Sequence, residues 1–147
     1  MSLAPIVAEI DIDAPIANVW ETMTSESDVP GWLGCMNYRR EVGRTFHMQT
    51  DPARRAAGDV TGATHCDIVT LDPPRVFAFT WYVPGTPKTR VAISLVPLGE
   101  NRTRARLVHE GWDQFPLESV RAFHEQLMGG WRSFVLPGLK RLSEKRN

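Results

Sequence analysis

The sequence predicts an α+β domain in which an antiparallel sheet curls around one long C-terminal helix. Three observations carry this. The chain opens on one alternating strand and a short amphipathic helix, continues through about five further alternating segments broken by Gly and Pro turns, and closes on a helical apolar stripe. The sheet has one face to bury and the helix one stripe, so wrapping the first around the second satisfies both and can leave a cavity between them. At 147 residues and 16.5 kDa, one domain over residues 1–147 accounts for the whole chain.

Residues Ile6 to Ile12 (IVAEIDI) place Ile6, Ala8, Ile10 and Ile12 on one face, the pattern of a half-buried strand. Asp13 is the expected N-cap of the next element, with Pro15 in its first turn and Ile16, Val19, Trp20 and Met23 at helical spacing. A brief second helix is expected between Ser25 and Trp32, limited by Pro30 and Gly31, and Gly34 to Val42 reads as loop. Phe46 and Met48 share one face of a strand within Arg44 to Thr50, and Asp51 to Gly58 reads as an exposed loop. Asp59 to Leu71 is expected to be a long strand, bent or bulged at Gly62, and Asp72, Pro73 and Pro74 form a rigid turn. Phe77, Phe79 and Trp81 share the next strand face, and Val91, Ile93 and Leu95 the one after, joined through Gly85, Thr86 and Pro87. Alternation is cleanest from Arg102 to His109, where Ala105, Leu107 and His109 face inward and Arg102, Arg104 and Arg106 form a solvated face. From Leu117 to about Lys145, Val120, Phe123, Leu127, Trp131, Phe134 and Leu142 mark the final helix, which Pro137 and Gly138 should kink or fray.

Composition excludes several classes of function. Hydrophobic residues at 42% and charged residues at 23% match a packed, water-soluble domain and exclude a disordered or collagen-like chain. Lys plus Arg and Asp plus Glu are equal at 17 each, so no cationic excess favours a nucleic-acid partner. The longest uncharged run, Val76 to Pro87, is far short of the roughly 20 apolar residues that span a bilayer, so membrane insertion is not expected. The opening MSLAPIVAEIDID lacks a basic leader, and Cys35 and Cys66 stand alone, which fits free thiols in the cytoplasm. The four histidines, His47, His65, His109 and His124, show no ligand spacing; GxSxG, GxGxxG and P-loop patterns are missing, and neither a metal nor a cofactor is expected.

The candidate site is therefore an apolar pocket. Trp20, Trp32, Phe46, Met48 and Phe79 are expected around the interior, together with Trp81, Phe123, Leu127 and Trp131. Burial of each contributes about 1.5–3 kcal/mol, so packing alone explains any one of them; a subset is expected to border unfilled space for a lipid or aromatic molecule. His109 is the polar candidate on that wall, able to orient a ligand or exchange a proton, although a buried histidine satisfied by its neighbours is the simpler reading. Glu110 points to the opposite face and cannot partner it. His65 and Asp67, two apart, would suit acid–base chemistry only if they face inward; an exposed polar strand face is the simpler reading. His124 reads as structural or exposed, and Cys35 as a quiet thiol near the pocket mouth.

The segments DAPIANVWETM from Asp13, DPPRVFAFTW from Asp72 to Trp81, and HEQLMGGW from His124 to Trp131 occur in that order. Together they resemble the START-like, helix-grip SRPBCC superfamily, and within it the branch similar to the C-terminal domain of activators of the heat-shock protein 90 ATPase. The resemblance implies a curved antiparallel sheet gripping a long C-terminal helix, with an apolar cavity reached between that helix, the short helices and nearby loops. The superfamily holds lipid and hormone carriers, cyclases and proteins without assigned chemistry, so it names a scaffold and not a reaction. The expected function is binding of a hydrophobic small molecule without catalytic machinery. The alternatives are a cyclase- or hydrolase-like enzyme using His109 as acid or base, and a chaperone-related or self-associating interaction domain. A homodimer is compatible with the sequence; chaperone stimulation is not expected, because the chain has no room for the activators' separate chaperone-binding region.

Overall fold

A computed structural model describes residues 4–146, without the side chains of residues 117–119. Strand β1 (Ile6–Ile12) is followed by helices α1 (Ile16–Thr24) and α2 (Val29–Leu33), then β2 (Thr45–Met48) and a short helix α3 (Pro52–Ala56). Strands β3 (Thr64–Asp72), β4 (Val76–Trp81), β5 (Thr89–Gly99) and β6 (Arg102–Glu110) complete the sheet. The chain ends in α4 (Leu117–Gly130), a π-helical turn over Trp131–Val135, and α5 (Leu136–Lys145). All six strands pair antiparallel in the order β1-β6-β5-β4-β3-β2, so the helix-grip α+β layout read from the sequence is the architecture of the molecule.

Alternation decides which strand face is buried. Ala105, Leu107 and His109 on β6 are fully buried, as are Val91 and Ile93 on β5, Phe77 and Phe79 on β4, Cys66 on β3 and Phe46 on β2. Opposite them the arginines of β6 lie outside, where Arg104 meets Asp11 at 2.8 Å and Arg106 meets Glu9 at 3.8 Å across the β1–β6 pair. Helices α1 and α2 and the terminal α5 cover one end of the inner face with Met23, Trp32, Leu136 and Leu139. Gly138 allows the close approach: a Cβ there would stand 3.6 Å from both Cα and Cβ of Trp32.

Four local expectations are corrected. Asp13 does not cap α1; Pro15 holds the N-cap position without a side-chain bond, and the Asp13 N–H donates instead to Glu144 Oε2 at 2.8 Å. The loop expected at Asp51 to Gly58 contains α3, because Asp51 Oδ1 accepts from the N–H groups of Ala53 (3.0 Å) and Arg54 (3.4 Å), and Pro52 is preset for a first turn. Strand β3 begins at Thr64 and not at Asp59. Asp59 Oδ1 accepts the Thr61 N–H at 2.9 Å, Gly62 sits at φ +76°, and Gln49 Nε2 clips the loop through the Asp59 and Thr61 carbonyls, both at 2.9 Å. The final helix does not fray at Pro137, and its irregularity is a π turn over the five residues Trp131–Val135 just before it. The Leu136 N–H reaches five residues back to the Trp131 carbonyl, and Pro137 enters α5 at its first turn, where a missing N–H is tolerated.

Candidate functional site

The π turn divides the terminal rod into two halves with different surroundings. Helix α5 packs on α1, α2 and β1, whereas α4 reaches the sheet along β1 and leaves its other flank open. Between that flank and the ends of β2, β3 and β4 lies a groove of about 580 Å³, with Met48, Thr64 and Trp81 on the sheet side and Phe123, Leu127 and Gly130 on the helix side. A second hollow of about 180 Å³ adjoins it through Thr64, Trp81 and Phe123 and extends to Trp112 and Phe115. A recess of about 70 Å³ shares Met48, Trp81, Leu127 and Gly130 with the groove and reaches Trp131 and Val135. Trp81 borders all three, so they form one system around its indole.

Strand geometry explains which expected residues reach this space. Phe46 and Met48 share the inner face of β2, and Phe79 and Trp81 that of β4, each pair two residues apart. The inner members, Phe46 and Phe79, are completely buried and stack edge to face at 5.2 Å. The outer members, Met48 and Trp81, are the last residues of their strands and become wall. Phe123, Leu127 and Trp131 line the system from the helix side. Trp20, Trp32, Phe46 and Phe79 line none of the three hollows and belong to the packed interior, as does His109. The groove itself is lined by α4 and not by the short helices: Trp32 of α2 packs against Gly138, and Ile16 of α1 borders a separate recess with Arg75 and Leu95.

His109 is fully buried with both ring nitrogens bonded. The Thr89 hydroxyl donates to the Trp81 carbonyl at 2.7 Å, so its oxygen accepts the His109 Nε2–H at 2.7 Å, and the Trp131 indole N–H donates to Nδ1 at 3.2 Å. This chain fixes one neutral tautomer, because a proton on Nδ1 would oppose the Trp131 donor. Burial and then the neighbouring His124 push the His109 pKa down from 6.5 to about 3. Trp81 and Trp112 pack on the ring at 5.9 and 4.6 Å. His109 thus joins β4, β5, β6 and the π turn as a neutral strut and does not face the groove.

The remaining polar candidates are separated from the groove. His65 and Asp67 lie on the face of β3 opposite the buried Cys66 and Ile68. Asp67 accepts from Thr45 Oγ1 at 2.7 Å and from Tyr82 and Lys88 at 3.3 Å each; burial opposes ionisation, yet these bonds hold its carboxyl below the ordinary range. His65 stacks edge to face on His47 at 4.6 Å. His124 bonds the Ala4 carbonyl at 2.8 Å. Cys35 is buried away from the groove mouth, and desolvation pushes its thiol up to about 12. Among the described residues no cluster of His, Cys, Asp or Glu could hold a metal ion, and no helix is long and apolar enough to cross a membrane.

Sequence reasoning passed over Thr64, Gln126, Gly129, Gly130 and Ser133, which also line the groove. The available signal was the Gly129–Gly130 pair inside a helical stripe, each glycine costing about 1 kcal/mol against alanine. Trp81 carries a further feature that no sequence reveals: its indole N–H is buried without a hydrogen-bond acceptor among the described residues.

A six-stranded antiparallel sheet gripping a terminal helix, with a groove between them, defines a helix-grip protein of the SRPBCC type. Residues 13–144 match the family model described as "Activator of Hsp90 ATPase homolog 1-like protein", and the chain belongs to that family. No curated protein matches it. Protein MLL2253 from Mesorhizobium loti is similar in structure, with TM-score 0.73 and 20% identity over 98% of this chain and 99% of that one. Bacillus halodurans protein BH1534 is similar at TM-score 0.71 and 27% identity, covering 98% of this chain and all of that one at 100%. The Aha1 dimer from Colwellia psychrerythraea, solved in solution, is similar at TM-score 0.67 and 17% identity over 97% of each chain.

Proposed function

We propose that this protein binds a hydrophobic small molecule in the groove between α4 and the ends of β2, β3 and β4. The observation that carries the reading is the groove's volume of about 580 Å³, within the range of small-molecule sites and walled largely by Met48, Trp81, Phe123 and Leu127. Met48 and Trp81 stand on a rigid sheet, so little ordering is required of that wall on binding. The role is carriage or sensing: the one histidine expected on the wall, His109, is a neutral buried strut and is a poor acid or base near neutral pH. Free thiols at Cys35 and Cys66 suit a reducing cytoplasm.

The test is titration with Nile red, an uncharged probe that brightens in apolar surroundings, alongside thermal unfolding. Saturable fluorescence and a rising melting temperature are expected; a ligand at 100 times its Kd adds about 2.7 kcal/mol. A flat titration with an unchanged melting curve would rule the reading out.

Self-association is a second reading, supported by Phe134, which is 78% exposed beside the groove, and by the dimer reported for the Colwellia psychrerythraea relative. Sedimentation of the wild type and Phe134→Ser separates the two: a dimer lost in the variant supports association through this face, and a monomer at all concentrations removes it. A chaperone-linked role rests on the family description alone.

A further inference from the structure

We infer that the groove selects an uncharged ligand: an apolar molecule whose polar end is a hydroxyl or a carbonyl, not a carboxylate or an ammonium, and whose body lies over Gly129–Gly130. This rests on the binding role proposed above and assigns the chemistry of what fills the site.

Charge is the first argument. Among the described residues, no Asp, Glu, Lys, Arg or His lines any of the three connected hollows. The polar lining of the groove consists of the hydroxyls of Thr50, Thr64 and Ser133 and the amide of Gln126. Lys88 packs over the Tyr82 ring at 4.6 Å, and Tyr82 borders the smaller hollow, but the Lys88 ammonium is engaged by Asp67 at 3.3 Å on the outer face of the sheet. A carboxylate entering this space would lose its water without gaining a counterion, and an unpaired charge is penalised more heavily than an unpaired neutral group. The Trp81 indole N–H, in contrast, is a buried donor without an acceptor in a residue that lines all three hollows, and a hydroxyl or carbonyl oxygen that displaces its cover can pair with it without bringing charge.

Space is the second argument. Gly130 has helical dihedrals, φ −62° and ψ −46°, which any residue adopts, so its backbone does not require glycine. Close packing does not require it either: a Cβ built on Gly129 or Gly130 meets nothing within 4 Å. Both residues line the groove. Two helical glycines that neither bend the backbone nor admit a neighbour keep a notch open in the wall, at a cost in helix stability.

Isothermal titration and thermal shift with matched probes test this: 2-naphthol against 2-naphthoate, and decan-1-ol against decanoate, at neutral pH, on the wild type and on Gly130→Leu. The alcohols are expected to bind about tenfold or more tightly than the acids, because the unpaired charge adds more than about 1.4 kcal/mol. In Gly130→Leu the alcohols are expected to lose binding while the melting temperature stays at or above that of the wild type. Acids binding as tightly as alcohols would overturn the selection for uncharged molecules and leave the groove as a site. Unchanged alcohol binding in Gly130→Leu would overturn the placement over the notch. If neither class binds the wild type, the binding role itself fails and takes this inference with it.

Discussion

The two halves of the terminal rod, α4 and α5, carry similar apolar spacing and serve opposite ends. Helix α5 buries Leu136 and Leu139 against α1, α2 and β1, and Gly138 meets Trp32 at van der Waals distance. Helix α4 leaves Phe123 44% exposed over the groove and carries two glycines at which a Cβ would meet nothing within 4 Å. Between them the π turn fixes Trp131, whose indole N–H is tied to His109. The same kind of stripe therefore acts as an anchor where the opposing surface reaches it and as a wall where that surface falls away.

That contrast sets the expected ranking of substitutions. Leu139→Ala, at a fully buried position in α5, should cost about 2–5 kcal/mol in urea unfolding, whereas Leu127→Ala beside existing empty space should cost less than half as much. Equal losses would remove the distinction between anchor and wall. His109 supplies the next effect. Its folded pKa, about 3, lies below the unfolded value of 6.5, so its contribution is complete above pH 6.5 and is lost as pH falls towards 3. The slope should approach 1.4 kcal/mol per pH unit within that window, and His109→Gln should flatten it in pH-dependent denaturant melts. A variant with the wild-type slope would show that His109 is not held neutral. Gly130→Ala should raise stability by about 0.5–1 kcal/mol, since its dihedrals are helical and its surroundings empty. Asp11→Asn should leave the same melts almost unchanged: the Arg104 bond lowers the Asp11 pKa, but the pair is solvated.

Legibility followed the strength of local contrast. Strand β6 could be read residue by residue because Arg102, Arg104 and Arg106 alternate with Ala105, Leu107 and His109. Helix α3 was missed because a five-residue exposed helix has no apolar stripe, although Asp51 and Pro52 are a capping pair. The π turn was not readable: Pro137 signals irregularity and does not say whether the chain kinks, frays or inserts a residue. The candidate site divided along the same line. Phe46 and Met48, like Phe79 and Trp81, are indistinguishable by type and period, and only the place where α4 crosses the sheet makes one of each pair core and the other wall. The inward direction of His109 was legible from parity, but its bonds to Thr89 and Trp131 come from distant parts of the chain.

The most direct test is a two-dimensional amide and indole NMR titration of the wild type with 2-naphthol. We expect shifts concentrated at Met48, Thr64, Leu127 and Gly130, together with a shift of the Trp81 indole N–H, and little change at Leu136 and Leu139. Shifts centred on α5 and its contacts with α1 and α2, with the Trp81 indole unmoved, would contradict a binding groove beside α4.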